Sequence, residues 1–292
     1  MKISAVILTK DEEKHIVRCI ESIRDACSEI IVIDSGSADR TCEIASSMGA
    51  TVLANPWKNY ATQFNFGLSR VADDADWVLR IDADEFLSPG WSAELERIDR
   101  IGPRVAGVMV DRYLSFRGRV MRFGGSVTKQ LRLFRNKRGV CENRWMDEHI
   151  SVDGDIADIP VMLVDLNLND MRWWSDKHMK YADREMIDSL LRANGQDTKP
   201  DTLHLAPRIK RFLKDRVYLH MPTTVRAVLY FVYRYVFLLG FLDGRIGFQF
   251  TFFQGLWYRM YVDARIEEVY ELARREGCTL EEAARRMTGI NF

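Results

Sequence analysis

Along the first hundred residues, short continuous apolar runs alternate with stretches of helical spacing. "ISAVILT" (3–9), "EIIVIDSG" (29–36), "TVLANP" (51–56) and "DWVLRIDAD" (76–84) read as strands. Between them, "DEEKHIVRCIESI" (11–23), "SADRTCEIASSMG" (37–49) and "YATQFNFGLSRVA" (60–72) read as helices. The first of these opens on acidic residues, which a helix dipole favours. The second opens on Ser37 or Asp39 and closes on Gly49. "SPGWSAELERI" begins a further helix with Pro89 near its start. Uninterrupted apolar strands are expected where helices cover both faces of a parallel sheet, so the pattern predicts an α/β fold.

After Arg104 the texture changes. "VAGVMVDRYLSF", "RVMRFG", "KQLRLFR" and "DIPVMLVDL" are strand-like with turns between them, which predicts an antiparallel or mixed extension; "WWSDKHMKYADREMIDSLL" (173–191) has helical spacing. "NGQDTKPD" reads as a linker, dividing the chain into residues 1–200 and a helical region, 201–292. From Ala206 to Val262 nine Lys/Arg stand against two Asp, with many aromatic residues among them. The longest uncharged run there, 246–258, falls short of the roughly 20 residues that span a bilayer. A basic helix carrying aromatics on one face would lie instead among lipid headgroups. The alternative is a helical layer over the first domain, or a dimer contact.

Composition narrows the classes. The 292 residues are 47% hydrophobic and 29% charged, with a formal net charge of zero, so the whole molecule carries no nucleic-acid signature. Five cysteines lack CxxC spacing, which points to free thiols in a reducing compartment. The chain enters strand-like sequence at once, so no signal peptide is expected and the reading is cytoplasmic.

Polar clusters end three of the predicted strands: Thr9-Lys10-Asp11-Glu12, Asp34-Ser35-Gly36-Ser37 and Asp82-Ala83-Asp84-Glu85. Ligands of open parallel sheets bind beyond the carboxyl ends of the strands, so the clusters are expected to share one site. Capping and turn formation are the plainer roles for Asp11, Asp34 and Asp39. Asp82 and Asp84, two apart, would share a face of an extended strand. Hard divalent cations are commonly held between one or two such carboxylates and substrate phosphates.

"SAVILTKDEEKHIVRCIESI", "EIIVIDSGSADRT" and "VLRIDADEFL", in that order, followed by "KQLRLFRN" and "RWMDEHI", resemble the nucleotide-binding half of family 2 glycosyltransferases. The likeness is closest to the non-processive branch that builds lipopolysaccharide core and other surface polysaccharides. It implies the GT-A fold, a Rossmann-like, mostly parallel sheet with helices on both faces, here with a C-terminal membrane-associating helical segment.

The resemblance further implies an inverting transferase that uses Mg²⁺ or Mn²⁺ and a nucleotide-sugar, most simply a UDP-sugar. On it, Thr9, Lys10 and Glu12 hold the nucleotide; Asp11 stands where many members have Asn. Asp34 reads the base, with Ser35 and Gly36 in its loop. Gln63 and Asn65 lie near the nucleotide and diphosphate. Asp84 is the metal ligand, with Asp82 beside the ribose or sharing the metal. Glu148 is the base that takes the acceptor proton, with Asp147 as fallback and His149 a structural histidine or a further metal ligand.

The expected partners are the donor, a lipid-linked or glycan acceptor, the cytoplasmic membrane surface and a second copy of the chain. Two rivals stay open: a sugar nucleotidyltransferase, although "LTKDEEKH" lacks glycine, and a non-catalytic membrane-associated scaffold. A processive synthase would need spanning helices and a QxxRW motif.

Overall fold

The computed structural model describes residues 1–141, 150–193 and 223–290. They form two compact units, Met1–Arg122 with Ser126–Leu168, and Phe123–Gly125 with Asn169–Phe292. The linker expected near residue 200 lies outside the described residues.

The first unit is built on strands β1 (Ile3–Thr9), β2 (Glu29–Asp34), β3 (Thr51–Ala54), β4 (Trp77–Asp82), β5 (Glu85–Leu87), β6 (Val105–Phe116), β7 (Arg119–Val120), β8 (Val127–Arg135) and β11 (Asp155–Asp165). The sheet order is β3-β2-β1-β4-β8-β6-β11-β5, with β7 paired to β6. The β3-β2-β1-β4 portion is parallel. Strand β8 then runs antiparallel to both β4 and β6, and β11 lies parallel to β6. A separate hairpin joins β9 (Gly139–Cys141) to β10 (Ile150–Val152).

Alternation explains why the central strands are apolar throughout. Ile3, Ala5 and Ile7 of β1 face α1 (Ile16–Ile23) and α4 (Trp91–Ile101), joining Ile16, Ile20, Trp91 and Leu95 in one core. Val6 points the other way, into a core with Ile31, Ile33, Val78, Phe134 and Phe64 of α3 (Tyr60–Leu68). Helix α3 can sit this close because of Gly67. A Cβ there would stand 2.5 Å from Val6 Cγ1 and 3.1 Å from Ile33 Cγ1.

Two departures from the sequence pattern have local causes. Helix α1 starts at Ile16, not at Asp11. Asp11 adopts φ +56°, and the N–H groups of Asp11, Glu12 and Glu13 donate to Ser37 Oγ, Thr41 Oγ1 and Asp39 Oδ2. Those donors tie the first loop to the next one. Helix α2 (Thr41–Ser47) likewise begins later than Ser37, with Asp39 accepting from the Thr41 N–H and hydroxyl. Strand β5 was not visible in the pattern; it turns back from β4 after two residues and pairs antiparallel with β11.

The second unit is helical among the described residues. It contains α5 (Met171–Ala193), α6 (Thr223–Val232), α7 (Gly244–Thr251), α8 (Tyr258–Glu276) and α9 (Leu280–Thr288). A π-helical turn (Tyr233–Phe237) extends α6, and another (Phe252–Trp257) joins α7 to α8. Met186, Ile187 and Leu190 of α5 pack on Val269 and Ala273 of α8 and Ala283 and Ala284 of α9. The Thr279 hydroxyl caps α9 by accepting from the Glu282 N–H.

Candidate functional site

The parallel strands β1, β2 and β4 end side by side, with Thr9 opposite Asp34 and Leu8 opposite Asp82. This brings the three polar clusters of the sequence to one edge of the sheet. Thr9 Oγ1 donates to Asp34 Oδ1 (3.1 Å), and Ser37 Oγ donates to the same oxygen (2.5 Å). The N–H groups of Gly36 and Ser37 both donate to Asp34 Oδ2 at 2.8 Å. Burial works to raise the Asp34 pKa, but these donors outweigh it and hold the carboxyl below its usual range. Gly36, at φ +94°, makes this turn possible. Ser35 ties the turn to β1 through two bonds to the Thr9 carbonyl, and the Lys10 ammonium donates to the Gly36 carbonyl.

Glu12 accepts from His15 Nδ1 at 2.5 Å, while His15 Nε2 accepts the Leu168 N–H at 2.8 Å. That pair of bonds fixes the tautomer, with the proton on Nδ1. Gln63 is buried and exchanges two hydrogen bonds with Asn55. Asn65 exchanges two with the backbone of Cys141 (2.9 and 3.1 Å), so it anchors the last residue of β9. Gln63 and Asn65 thus reach other protein groups, and the loop that Gln63 holds meets the site where the Asn55 N–H donates to the Asp34 carbonyl.

Strand β4 ends at Asp82, and Asp84 sits in the turn that follows. The two carboxylates are therefore not successive same-face positions of one strand. Asp82 Oδ1 accepts from the Tyr60 hydroxyl (2.8 Å), which in turn accepts from Arg80 Nε (2.7 Å). Arg132 lies 3.6 Å from Asp82 Oδ2. Asp84 Oδ2 accepts from Asn167 (3.2 Å), and its other oxygen has no hydrogen-bond donor among the described residues. The backbone carbonyl of Asp84 is held by Arg18 and the Leu166 N–H.

Glu85 answers why three carboxylates crowd this strand end. It is fully buried and accepts from Arg132 Nη2 (2.5 Å), Arg112 Nε (3.2 Å) and the Asp82 N–H (3.0 Å). Arg112 also pairs with Asp165. Burial pushes the Glu85 carboxyl up to about 7 against the pull of Arg132 and Arg112. Burial acts on Asp82 too, but there Arg132 and Arg80 prevail and hold the carboxyl at about 2. Arg80, Arg112, Arg132 and Tyr60 were missed by the motif reading. The available signal was a single arginine inside each of three strand-like runs, "VLRID", "VDRYL" and "QLRLF".

Among the described residues no three His, Cys, Asp or Glu side chains converge on a metal position. Asp82 and Asp84 instead supply hard oxygen donors at the sheet edge, one of them with an open oxygen. Such a donor set fits Mg²⁺ or Mn²⁺ that takes its remaining ligands from phosphate and water. Asp147, Glu148 and His149 fall between β9 and β10 in the sequence and lie outside the described residues.

Residues 4–146 match the family model for glycosyl transferase family 2. The chain carries a family 2 glycosyltransferase domain. The parallel strands β1 to β4, the loops at the β1, β2 and β4 ends and the DxD turn fall inside the matched range, apart from Ile3 at the start of β1, whereas β11 lies beyond it. This domain is 43% identical over 115 residues to an uncharacterized glycosyltransferase of Rickettsia typhi, covering 39% of this chain and 37% of that one. It is 32% identical over 117 residues to the lipopolysaccharide core biosynthesis glycosyltransferase LpsC of Rhizobium meliloti, covering 38% and 42%. The chain therefore spans less than half the length of these relatives. A solved glucosyl-3-phosphoglycerate synthase from Mycobacterium tuberculosis, in complex with Mn²⁺, UDP and phosphoglyceric acid, is 27% identical and covers 38% of this chain and 43% of that one. The TM-score of that overlap is 0.34.

Proposed function

We propose that this glycosyltransferase domain moves a sugar from a nucleotide-sugar, a UDP-sugar, to a hydroxyl of a lipid-linked or surface-glycan acceptor with inversion. One observation carries the reading: in a family 2 domain, the Asp82–Asp84 turn sits at the same sheet edge as the Thr9 and Asp34 loops. The nucleotide rests on those two loops, which hydrogen bonding has already fixed. Asp84 and Asp82 hold Mg²⁺ or Mn²⁺, and that ion, when bound, offsets negative charge on the diphosphate. Arg132 and Tyr60 keep Asp82 ionised and oriented. The acceptor oxygen bonds to the anomeric carbon as the bond to the diphosphate breaks, and its proton passes to Glu148, or to Asp147. Asn65 contributes by anchoring the strand that leads into residues 142–149.

We place the enzyme on the cytoplasmic face of the membrane, held there by its second unit. The exposed aromatic and aliphatic residues of that unit support this.

The test is a panel of nucleotide-sugars assayed for Mn²⁺-dependent release of free nucleoside diphosphate with the full chain. Release from a UDP-sugar, abolished by Asp84→Asn and reduced at least a hundredfold by Glu148→Gln with nucleotide binding intact, is the expected result. Full turnover in Asp84→Asn, or release that ignores chelation, overturns the metal assignment. No release from any donor overturns the activity.

A further inference from the structure

One stretch of the second unit inverts the usual arrangement of polar and apolar groups. From Val225 to Met260 the outward-facing side chains include Val228, Leu229, Val236, Phe237, Leu242 and Phe248, and Phe237 is 71% exposed. The polar groups are inside. Arg234 is buried and donates to the Gly124 carbonyl (2.6 Å), and Asp243 is buried and accepts the Phe123 N–H (2.9 Å). Arg226 pairs with Asp263 and Arg259 with Glu185. Three of the four arginines in this stretch are therefore turned onto protein partners; the other basic residues of the expected basic face, Arg208, Lys210, Arg211, Lys214 and Arg216, lie outside the described residues. Twelve large side chains in this stretch are exposed. At about 80 Å² each they expose on the order of 1,000 Å² of apolar side chain in total.

The chain break at the centre of this surface is also prepared for an apolar solvent. The helical segments Thr224–Phe237 and Gly240–Glu276 meet at a 71° bend, where an unpaired backbone group in hydrocarbon would be costly. Here Leu238 N–H donates to the Tyr233 carbonyl, Leu239 N–H to Val236, and the Leu238 carbonyl accepts from Gly124 N–H. Between residues 224 and 260 Asp243 is the sole acidic residue, and it is buried, while Arg245 is exposed. Among the described residues this stretch thus presents an apolar face with a cation beside it and no exposed carboxylate of its own, which complements an anionic leaflet.

We infer that this bent helix pair enters one leaflet of an anionic bilayer as a wedge, with Val236–Leu242 at its tip. No single helix among the described residues is long and apolar enough to cross a membrane. Thr224–Phe237 is about 21 Å long at 1.5 Å per residue. A 71° bend shared evenly tilts each limb about 35° from the membrane plane. The tip then lies about 12 Å deep, inside the roughly 15 Å of one hydrocarbon leaflet. This deepens the membrane attachment proposed above and rests on it.

The test uses the full chain and phosphatidylethanolamine/phosphatidylglycerol vesicles. The wedge predicts co-sedimentation that survives 1 M NaCl and an alkaline carbonate wash. The double substitution Phe237→Asp with Leu242→Asp should cut the retained fraction at least tenfold while circular dichroism and melting stay unchanged, since both side chains are already exposed. p-Benzoylphenylalanine at position 237 should cross-link to acyl chains. Binding that 1 M NaCl abolishes, or adducts confined to headgroups, overturns insertion and leaves surface attachment standing. No vesicle binding by the native chain overturns both. A native dimer that the double substitution dissociates, without vesicle binding, assigns the surface to a second copy instead. Nucleoside diphosphate release from the donor is read separately, so none of these outcomes is confused with failure of the transferase reading.

Discussion

Replacing Arg132 with methionine tests the charge cluster behind the DxD turn. Methionine roughly conserves volume and removes the cation that touches both Glu85 and Asp82. Glu85 keeps Arg112 at 3.2 Å and the Asp82 N–H, but loses its shortest partner at 2.5 Å. Breaking a buried ion pair from one side costs about 3–5 kcal/mol. Against a total stability of about 5–15 kcal/mol, and at about 2–4 °C per kcal/mol, that is a fall in Tm of roughly 6–20 °C.

The loss should depend on pH in a defined sense. Burial already raises the folded pKa of Glu85 to about 7, above its ordinary 4.5. A carboxyl raised in this way stabilises the fold fully below the unfolded pKa, and that contribution is lost as pH rises through the folded value. Without Arg132 the folded pKa climbs further, so the deficit of the variant should be larger at pH 8 than at pH 5.5. Differential scanning calorimetry of both proteins at the two pH values reads this directly. A deficit under 1 kcal/mol, or one equal at both pH values, would refute the cluster's role.

Three further outcomes are expected. Gly67→Ala should cost about 1–3 kcal/mol in urea unfolding, because the new methyl meets the branched, fully buried side chains of Val6 and Ile33; an unchanged midpoint would mean that α3 shifts freely. Asn65→Ala removes two hydrogen bonds to Cys141, should cost about 2 kcal/mol, and should lower kcat more than it raises the donor KM; a change confined to KM would return Asn65 to direct nucleotide contact. Asp34→Asn should flatten the acid limb of the stability profile, since a carboxyl with a depressed pKa contributes stability above its unfolded pKa that disappears as pH falls through the folded one. An acid limb as steep as the native one would rule that out.

The α/β order was legible because continuous apolar runs such as "ISAVILT" have few other uses in a chain of this composition. Helix starts were less so. Asp11, Glu12 and Glu13 carry the composition of a first helical turn, yet their N–H groups are captured by Ser37, Thr41 and Asp39, partners 26 to 29 residues away. No local pattern reports a hydrogen bond of that separation. The acidic turn stood out by its density of charge, but the arginines that answer it come from β6 and β8. Their pairing with β5 depends on the antiparallel return of a three-residue strand, which periodicity does not resolve. In the second unit, composition showed the aromatic residues but not their direction. Arg234 and Asp243 read as interruptions of an apolar surface until their backbone partners at Gly124 and Phe123 came into view.

The three N–H groups that pass from the first loop to the second make a single stiff ledge out of two connections. A molecule arriving there meets a shape complete before it lands, so little chain entropy is surrendered on contact. Capture on such a ledge should be quick and nearly insensitive to viscogens that slow loop closure, and its selectivity should come from fit.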